Sequence, residues 1–301
     1  MRIVIALGGN ALLQRGESPS AEAQQRNARI AAESIAALAQ EHEVVVTHGN
    51  GPQVGLLANQ AECDRIAWPL DVVGAESHGM IGYILARELH NALGSDRVAS
   101  LLTQTEVDPN DSAFDHPEKF IGPTWDESRA RALADERGWD IAPDGKGWRR
   151  VVAAPEPQRL LGMEAVRVLV EAGTLTICAG GGGVPVARDR AGRLYGIEAV
   201  VDKDLTAARL AEHLEADWLL MLTDVDGVYL NWGTLDAYRL KALLVTAVDP
   251  REYSAGSMGP KMEAARRAAQ AGIRTGIGSL QDAAAIVAGR AGTRILPVGA
   301  H

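Results

Sequence analysis

Cysteine is scarce in this sequence: Cys63 and Cys178 are the only two among 301 residues. They stand in different apolar or helical contexts with no metal-ligand spacing, and are read as reduced thiols, which argues against a disulfide framework. An excess of basic residues is also lacking. The formal net charge is −9, and Lys and Arg are scattered rather than gathered into a stripe, so nucleic acid is not an expected partner. No apolar run approaches the length of a bilayer span, and Met1 to Leu7 is too short and too soon broken by glycine to be a signal peptide. A soluble, cytoplasmic protein without membrane attachment is expected.

Familiar catalytic signatures are missing as well. The only Gly-Lys pair is Gly145-Lys146, with Gly147 after it, so there is no G-x-x-x-x-G-K-[ST]. No strand runs into G-x-G-x-x-G in the setting of a dinucleotide fold. Ser-His-Asp order, a Cys-His pair and H-E-x-x-H are also absent.

What is present is a repeated arrangement of strand, glycine break and helix. Ile3 to Leu7 runs into Gly8-Gly9-Asn10; Val44 to Thr47 runs into His48-Gly49-Asn50-Gly51-Pro52; Leu175 to Cys178 runs into Gly180 to Gly183; Trp218 to Leu222 runs into Thr223-Asp224-Val225-Asp226-Gly227. Ser20 reads as the cap of an Ala-rich helix to Gln40, Asp71 as the cap of a helix to about Leu93, and Val98 to Gln104 as a further strand. From Glu106 to Gln158 prolines punctuate the chain, and Asp144-Gly145 signals a hairpin. That segment is an excursion from the main sheet, either a small lid or a long surface connection. Helices follow at Met163 to Glu171, Leu205 to Leu214 and from Gly256-Ser257-Met258-Gly259-Pro260-Lys261 to about Ala271, with strands at Arg274 to Ile277 and Arg294 to Val298. This alternation predicts an α/β fold with a largely parallel sheet covered on both faces, whose glycine-ended strands converge on one crevice.

Two lysines carry the chemical argument. Lys203, taken alone, reads as an exposed loop lysine. Lys203 and Lys261 both lie at or just before the first turn of a helix, where the dipole disfavours a cation by several tenths of a kcal/mol. Together they point to a polyanion between them, as phosphoryl transfer requires. Asp204 could orient the two ammonium groups, help hold Mg²⁺, or cap the helix at Leu205. On the acceptor side, the turns at Gly8 to Asn10 and Gly49 to Gly51 suit a small planar anion such as a carboxylate. His48 has two readings, a base or a hydrogen-bonded structural histidine, and the second is preferred. His78 and His90 read as helix-face residues far from any glycine turn.

Five motifs in this order resemble those of the carbamate kinases of the amino acid kinase superfamily, over nearly the whole chain. They are Ala6-Leu7-Gly8-Gly9-Asn10-Ala11, His48 to Gly55, Gly180 to Val186, Ile197 to Asp204 and Gly256 to Lys261. The resemblance implies a single domain, 1–301, forming an open αβα sandwich. Within it, 1–215 would be an acceptor and phosphate half carrying a protruding subdomain at about 115–150, and 216–301 a nucleotide half.

The resemblance also implies roles. Lys203 and Lys261 would stabilise the transferring phosphoryl group, Asp204 would organise them, and Lys119 would reach the carbamate site from the lid. Gly8, Gly9, Asn10, Gly49, Asn50, Gly51, Gly181 and Gly182 would line the substrate site; Thr223, Asp224, Tyr229, Met258 and Lys261 the nucleotide site. No protein metal site is implied; Mg²⁺ would come with ATP or ADP, and the substrates would be carbamate and carbamoyl phosphate. Family members are cytoplasmic homodimers whose reaction commonly runs toward ATP, as in arginine fermentation. Two further readings stay open: a superfamily kinase for another small carboxylate or phosphate acceptor, and a non-catalytic nucleotide-binding sensor. Lys119 speaks against the first, and the joint presence of Lys119, Lys203, Asp204 and Lys261 against the second.

Overall fold

The computed structural model describes residues 1–12, 17, 20–63, 68–253 and 258–299. Gly256 and Ser257 of the last motif, and the side chains of Cys63 and Asn10, lie outside what is described. In chain order, β1 (Arg2–Leu7), α1 (Gly9–Leu12) and α2 (Ala21–Ala39) lead to β2 (Glu43–His48), α3 (Gly51–Cys63), α4 (Leu70–Leu93), β3 (Val98–Ser100) and β4 (Gln104–Glu106). Next come β5 (Lys119–Trp125), α5 (Glu127–Arg137), β6 (Asp140–Asp144), β7 (Gly147–Val152), β8 (Arg159–Leu160), α6 (Met163–Glu171) and β9 (Leu175–Ile177). After β10 (Val184–Arg188) and β11 (Leu194–Gly196) follow α7 (Lys203–His213), β12 (Trp218–Thr223), β13 (Tyr229–Leu230), β14 (Tyr238–Arg239) and β15 (Ala242–Leu244). The last elements are α8 (Met258–Gln270), β16 (Arg274–Ser279), α9 (Ala283–Val287) and β17 (Thr293–Leu296).

The period-2 alternation of β1 sets the layers. Ile3, Ile5 and Leu7 enter a core with Ile35 of α2, Leu85 of α4 and Ile286 of α9. Val4 and Ala6 enter a second core with Val166 of α6, Leu210 of α7 and Met262 of α8. In β12, Leu220 and Leu222 join the first core and Leu219 and Met221 the second. Apolar residues on both faces of central strands require helices on both sides, and each fully buried aliphatic side chain contributes about 1.5–3 kcal/mol. The result is a mainly parallel αβα sandwich whose eight-stranded sheet has the order β15-β17-β16-β12-β1-β2-β9-β3, with only the β16–β17 pair antiparallel. Because β12, β1, β2 and β9 are neighbours and parallel, their carboxyl ends, at Thr223, Leu7, His48 and Ile177, line one edge.

Residues 119–152 build a separate three-stranded antiparallel sheet, order β5-β7-β6, in which Asp144 pairs with Gly147 across the hairpin. Its helix α5 is capped by Asp126, whose Oδ1 accepts from Arg129 N at 2.9 Å. This lobe lies on α3 at a glycine contact, where a Cβ on Gly55 would come within 2.4 Å of Gly122 Cα. It is tied to the segment before α7 by Lys119–Asp202 (2.8 Å) and Arg150–Glu198 (3.1 Å).

Three local expectations need correction. The single strand expected over Val98 to Gln104 is two strands in two sheets. Between them Thr103 leaves the ladder: its hydroxyl accepts from Ala179 N at 2.6 Å and its carbonyl from Val184 N at 2.9 Å. Helix α4 begins at Leu70, before Asp71, because Glu198 Oε2 accepts from Leu70 N at 2.9 Å and does the work of a local cap. Helix α7 begins at Lys203, and its cap is Asp202, whose Oδ1 accepts from Asp204 N (2.9 Å) and Leu205 N (3.2 Å), so Asp204 lies in the first turn instead of capping.

Candidate active site

Capping by Asp202 starts α7 at Lys203, which sets the Lys203 side chain against Gly49 at the carboxyl end of β2 instead of leaving it in an exposed loop. Lys203 Nζ donates to Asp204 Oδ1 at 2.6 Å, and Lys261, in the first turn of α8, donates to Asp204 Oδ2 at 3.0 Å. The three side chains are 11%, 6% and 13% exposed in the order Lys203, Asp204, Lys261. Two buried cations thus share one carboxylate, with Asp202 and Asp224 also acting on Lys261, and buried charges of this kind are costly unless each is paired.

Titration follows from this arrangement. Burial alone would raise the Asp204 carboxyl, but Lys203 and Lys261 outweigh it and hold the group well below the usual carboxylate range. Burial lowers Lys203, aided by the like charge of Lys261 and opposed by Asp204. For Lys261 burial pulls the same way, but Asp204, Asp202 and Asp224 outweigh it and the proton is held more tightly. The two lysines therefore differ although they share a partner: Lys203 sits deeper among its neighbours, while Lys261 faces more carboxylates.

Glycine packing brings the other turns against Lys203. Gly8 N donates to Leu222 O at 2.7 Å and Gly49 N to Leu7 O at 3.0 Å, so each ladder runs one residue past its strand before α1 opens at Gly9 and α3 at Gly51. A Cβ on Gly49 would meet Gly9 N at 2.9 Å and the Lys203 Cε at 3.4 Å. Gly51 opens α3 with free space around it. Asn50 donates to Ser77 Oγ at 2.8 Å. Gly181, at φ +59°, leaves no room for a side chain, since a Cβ would lie 2.4 Å from Asn50 Nδ2 and 2.5 Å from His78 Nε2. Gly182 is pressed in the same way against Val201 O, at 2.5 Å. The preceding Ala179 is buried and held at φ 51°, a conformation rare for a residue with a side chain. Among the predicted acceptor residues, then, Gly8, Gly9, Gly49, Asn50, Gly181 and Gly182 are contiguous; Asn10 lies in α1.

His78 corrects the expectation for that residue. It is buried beside the glycine turn, its ring 6.2 Å from that of His48 and nearly perpendicular to it. Burial lowers His48 to about 4, with the Gly49 carbonyl opposing, and lowers His78 to about 3, helped by His48. Both rings are neutral in the physiological range. Nothing in its local sequence pattern distinguished His78 from a helix-face histidine. Asp202 was legible in principle, as an Asp directly before a helical pattern.

On the other side of the crevice, Thr223 Oγ1 donates to Asp224 Oδ1 at 3.0 Å, and Asp224 is close enough to raise Lys261. Met258 packs on the core beneath α7 and α8. Tyr229 stands on the β13–β14 hairpin, its hydroxyl donating to Asp226 Oδ1 at 2.8 Å and its ring edge-on to Trp232 at 5.2 Å. Lys119 reaches the start of α7 by donating to Asp202 Oδ2 at 2.8 Å. Both oxygens of Asp204 are engaged by lysines, so the geometry fits orientation of ammonium groups better than metal ligation. Among the described residues no group of three or more His, Cys, Asp or Glu is placed to hold a metal ion. A cavity of about 700 Å³ lined by Arg2, His42, Arg97 and Asp217 lies away from this crevice, at the amino-terminal ends of the strands.

The family model described as "Amino acid kinase family" matches residues 1–279. The chain is 50% identical to a carbamate kinase of Haemophilus influenzae, covering 98% of this chain and 96% of that protein. It is 49% identical to a carbamate kinase of Rhizobium meliloti, covering 98% and 93%. Among solved structures, carbamate kinase from Giardia lamblia bound to citric acid superposes with a TM-score of 0.92 at 36% identity, and the same enzyme bound to AMP-PNP with 0.89 at 36%, each covering 98% of both chains.

Proposed function

The chain belongs to the amino acid kinase family, and from that premise we propose that it transfers a phosphoryl group reversibly between ATP and carbamate, giving ADP and carbamoyl phosphate. The observation that carries this reading is Asp204 held between Lys203 and Lys261 beside the glycine turns. Lys203 lies against Gly49 and Lys261 feels Asp224, so the two ammonium groups span the acceptor and nucleotide sides of one crevice.

In the ATP-forming direction, a terminal oxygen of ADP attacks the phosphorus of carbamoyl phosphate. The P–O bond to the carbamoyl carbon's oxygen breaks, and carbamate leaves as an anion. Neither partner must gain or lose a proton at the reacting oxygens, so no general base is needed. His48, buried and lowered to about 4, is a weak proton acceptor, in keeping with this. The developing charge on the equatorial oxygens needs cations on both sides, which Lys203 and Lys261 supply while Asp204 fixes their spacing. The nucleotide would carry Mg²⁺, which when bound would neutralise charge on its phosphates.

We assign residues 1–215 to the acceptor and phosphate half, with the lobe around 115–150 as its lid carrying Lys119, and 216–301 to the nucleotide half, with Thr223, Asp224, Tyr229, Met258 and Lys261 in its nucleotide site. Among the described residues no helix is long and apolar enough to cross a membrane. A cytoplasmic homodimer working toward ATP in arginine breakdown is the setting that the family resemblance supports.

A coupled assay for ATP from ADP, Mg²⁺ and carbamoyl phosphate tests the reading, with Lys203→Ala beside the wild type. Wild type should form ATP. The variant should lose on the order of 10²–10³ in kcat while its ADP affinity stays within a few fold. A folded wild type that forms no ATP, or a variant losing binding and rate equally, would overturn it.

A further inference from the structure

Asp204 holds Lys203 on one oxygen and Lys261 on the other, and the third lysine that reaches this region is held elsewhere. That lysine, Lys119, is the first residue of β5 in the lobe and meets a different carboxylate, Asp202. Asp202 is 8% exposed and is used from both sides. Its Oδ1 accepts from the backbone of Asp204 and Leu205 and so is fixed to the helix that carries Lys203. Its Oδ2 accepts from Lys119 Nζ at 2.8 Å.

We propose, resting on the phosphotransfer reading above, that Asp202 is a positioning residue for Lys119. It fixes where the lid's ammonium stands relative to Lys203, and through it the place where the phosphoryl group of carbamoyl phosphate docks. A lysine on four methylenes, 41% exposed, has many rotamers available, and ordering it at the moment of binding would cost side-chain entropy. A carboxylate oxygen clamped by the helix cap removes that freedom beforehand, because its sister oxygen cannot move without uncapping α7. The same residue thereby joins two elements: the lobe that carries Lys119 and the helix that carries Lys203. The second tie between lobe and body, Arg150–Glu198, has its carboxylate 56% exposed and does not touch α7, so it can fasten the lobe without aiming a charge. Asp202 does not touch the reacting atoms in this scheme; it acts through Lys119.

Asp202→Asn separates the two duties. Asn caps helices about as well as Asp, so Oδ1 is retained, while the amide nitrogen that replaces Oδ2 cannot accept from an ammonium group. With Lys119→Met and the double variant it forms a cycle. Asp202→Asn should raise the KM for carbamoyl phosphate about tenfold, leave the KM for ADP within about twofold and keep the melting temperature within about 3 °C. The double variant should be no worse than Lys119→Met alone. An unchanged KM for carbamoyl phosphate, or losses that multiply in the double variant, would overturn the assignment.

Amide hydrogen exchange in the ligand-free protein supplies a readout that needs no turnover. Both single variants should exchange faster across Lys119–Trp125 and Gly147–Val152, and exchange at the wild-type rate would overturn the Asp202–Lys119 link. A wild type without ATP formation would refute the phosphotransfer reading while these rates still judged the pair.

Discussion

Lys261 and Arg131 each pair with a carboxylate at close range, at 3.0 Å to Asp204 and 2.7 Å to Glu127, yet one pair is sealed in the crevice and the other rides on the lobe. In the crevice the carboxylate side chain is 6% exposed; on α5 the two partners are 59% and 55% exposed. The lobe's arginines also lie over rings: Arg131 over Trp148 at 5.0 Å, Arg150 over Trp139 at 4.6 Å, Arg149 over Phe120 at 5.6 Å. Water screens the Arg131–Glu127 pair, so it is worth little by itself, and the aromatic faces share the task of ordering the lobe's arginines. Desolvation makes every crevice charge depend on its partner. The same residue types therefore serve as scaffolding in one place and as a poised site in the other, and burial is what separates the two uses.

Removing Asp204 should give the largest effect. Asp204→Ala removes the one carboxylate that both buried ammonium groups contact, and the expected loss is about 3–5 kcal/mol in denaturant unfolding at neutral pH. Because the folded-state pKa is depressed, the stabilisation is fully present above the ordinary carboxyl pKa of about 4 and fades as pH falls through the folded value. Wild type and variant should therefore draw together in acid. A loss below about 1 kcal/mol at pH 7 would mean that the crevice is wet and the contrast with the lobe false.

An intermediate effect is expected from the histidine pair. His48 and His78 are lowered from 6.5 to about 4 and about 3, so between these limits the unfolded chain binds more protons than the folded one. Stability from this source is complete above about pH 6.5 and is lost as pH falls toward 3, at up to about 1.4 kcal/mol per pH unit per group. His78→Gln should remove about one proton's worth of that slope between pH 6 and 4, read from unfolding curves at stepped pH. An unchanged slope would place His78 in contact with water.

Arg131→Ala should have the smallest effect, less than about 1 kcal/mol, since it removes an exposed ion pair and one ring contact. Added salt should shrink it further, whereas Asp204→Ala should respond weakly to salt. An Arg131→Ala loss equal to that of Asp204→Ala would erase the distinction between the two regions.

Most elements were legible because their causes are local. Ser20 before an Ala-rich run, glycine after each apolar strand and Asp144-Gly145 between two strands are each decided within a few residues by backbone sterics and nearby hydrogen bonds. Apart from the start of α7, whose local cap is Asp202, the errors fell where a distant group replaced a local one. Thr103 is drawn off the ladder by Ala179 and Val184, and Leu70 is capped by Glu198, 128 positions away. His78 looked like a helix-face residue because the turn it touches, at Gly181, belongs to another part of the chain.

The sequence by itself determined the alternation of elements, the two apolar faces of the central strands, the glycine breaks at the strand ends and the two lysines at helix starts. These follow from side-chain period, rotamer and φ/ψ restrictions, and helix-end electrostatics, all of which act over a few residues. Only the tertiary structure decided that one carboxylate, Asp204, would take both Lys203 and Lys261, the latter 57 positions away. It alone decided that Asp202 would hold Lys119 across 83 positions. Those meetings depend on the order β12-β1-β2-β9 and on the seat of the lobe on α3, which are set by the packing of whole faces and by no single stretch of chain.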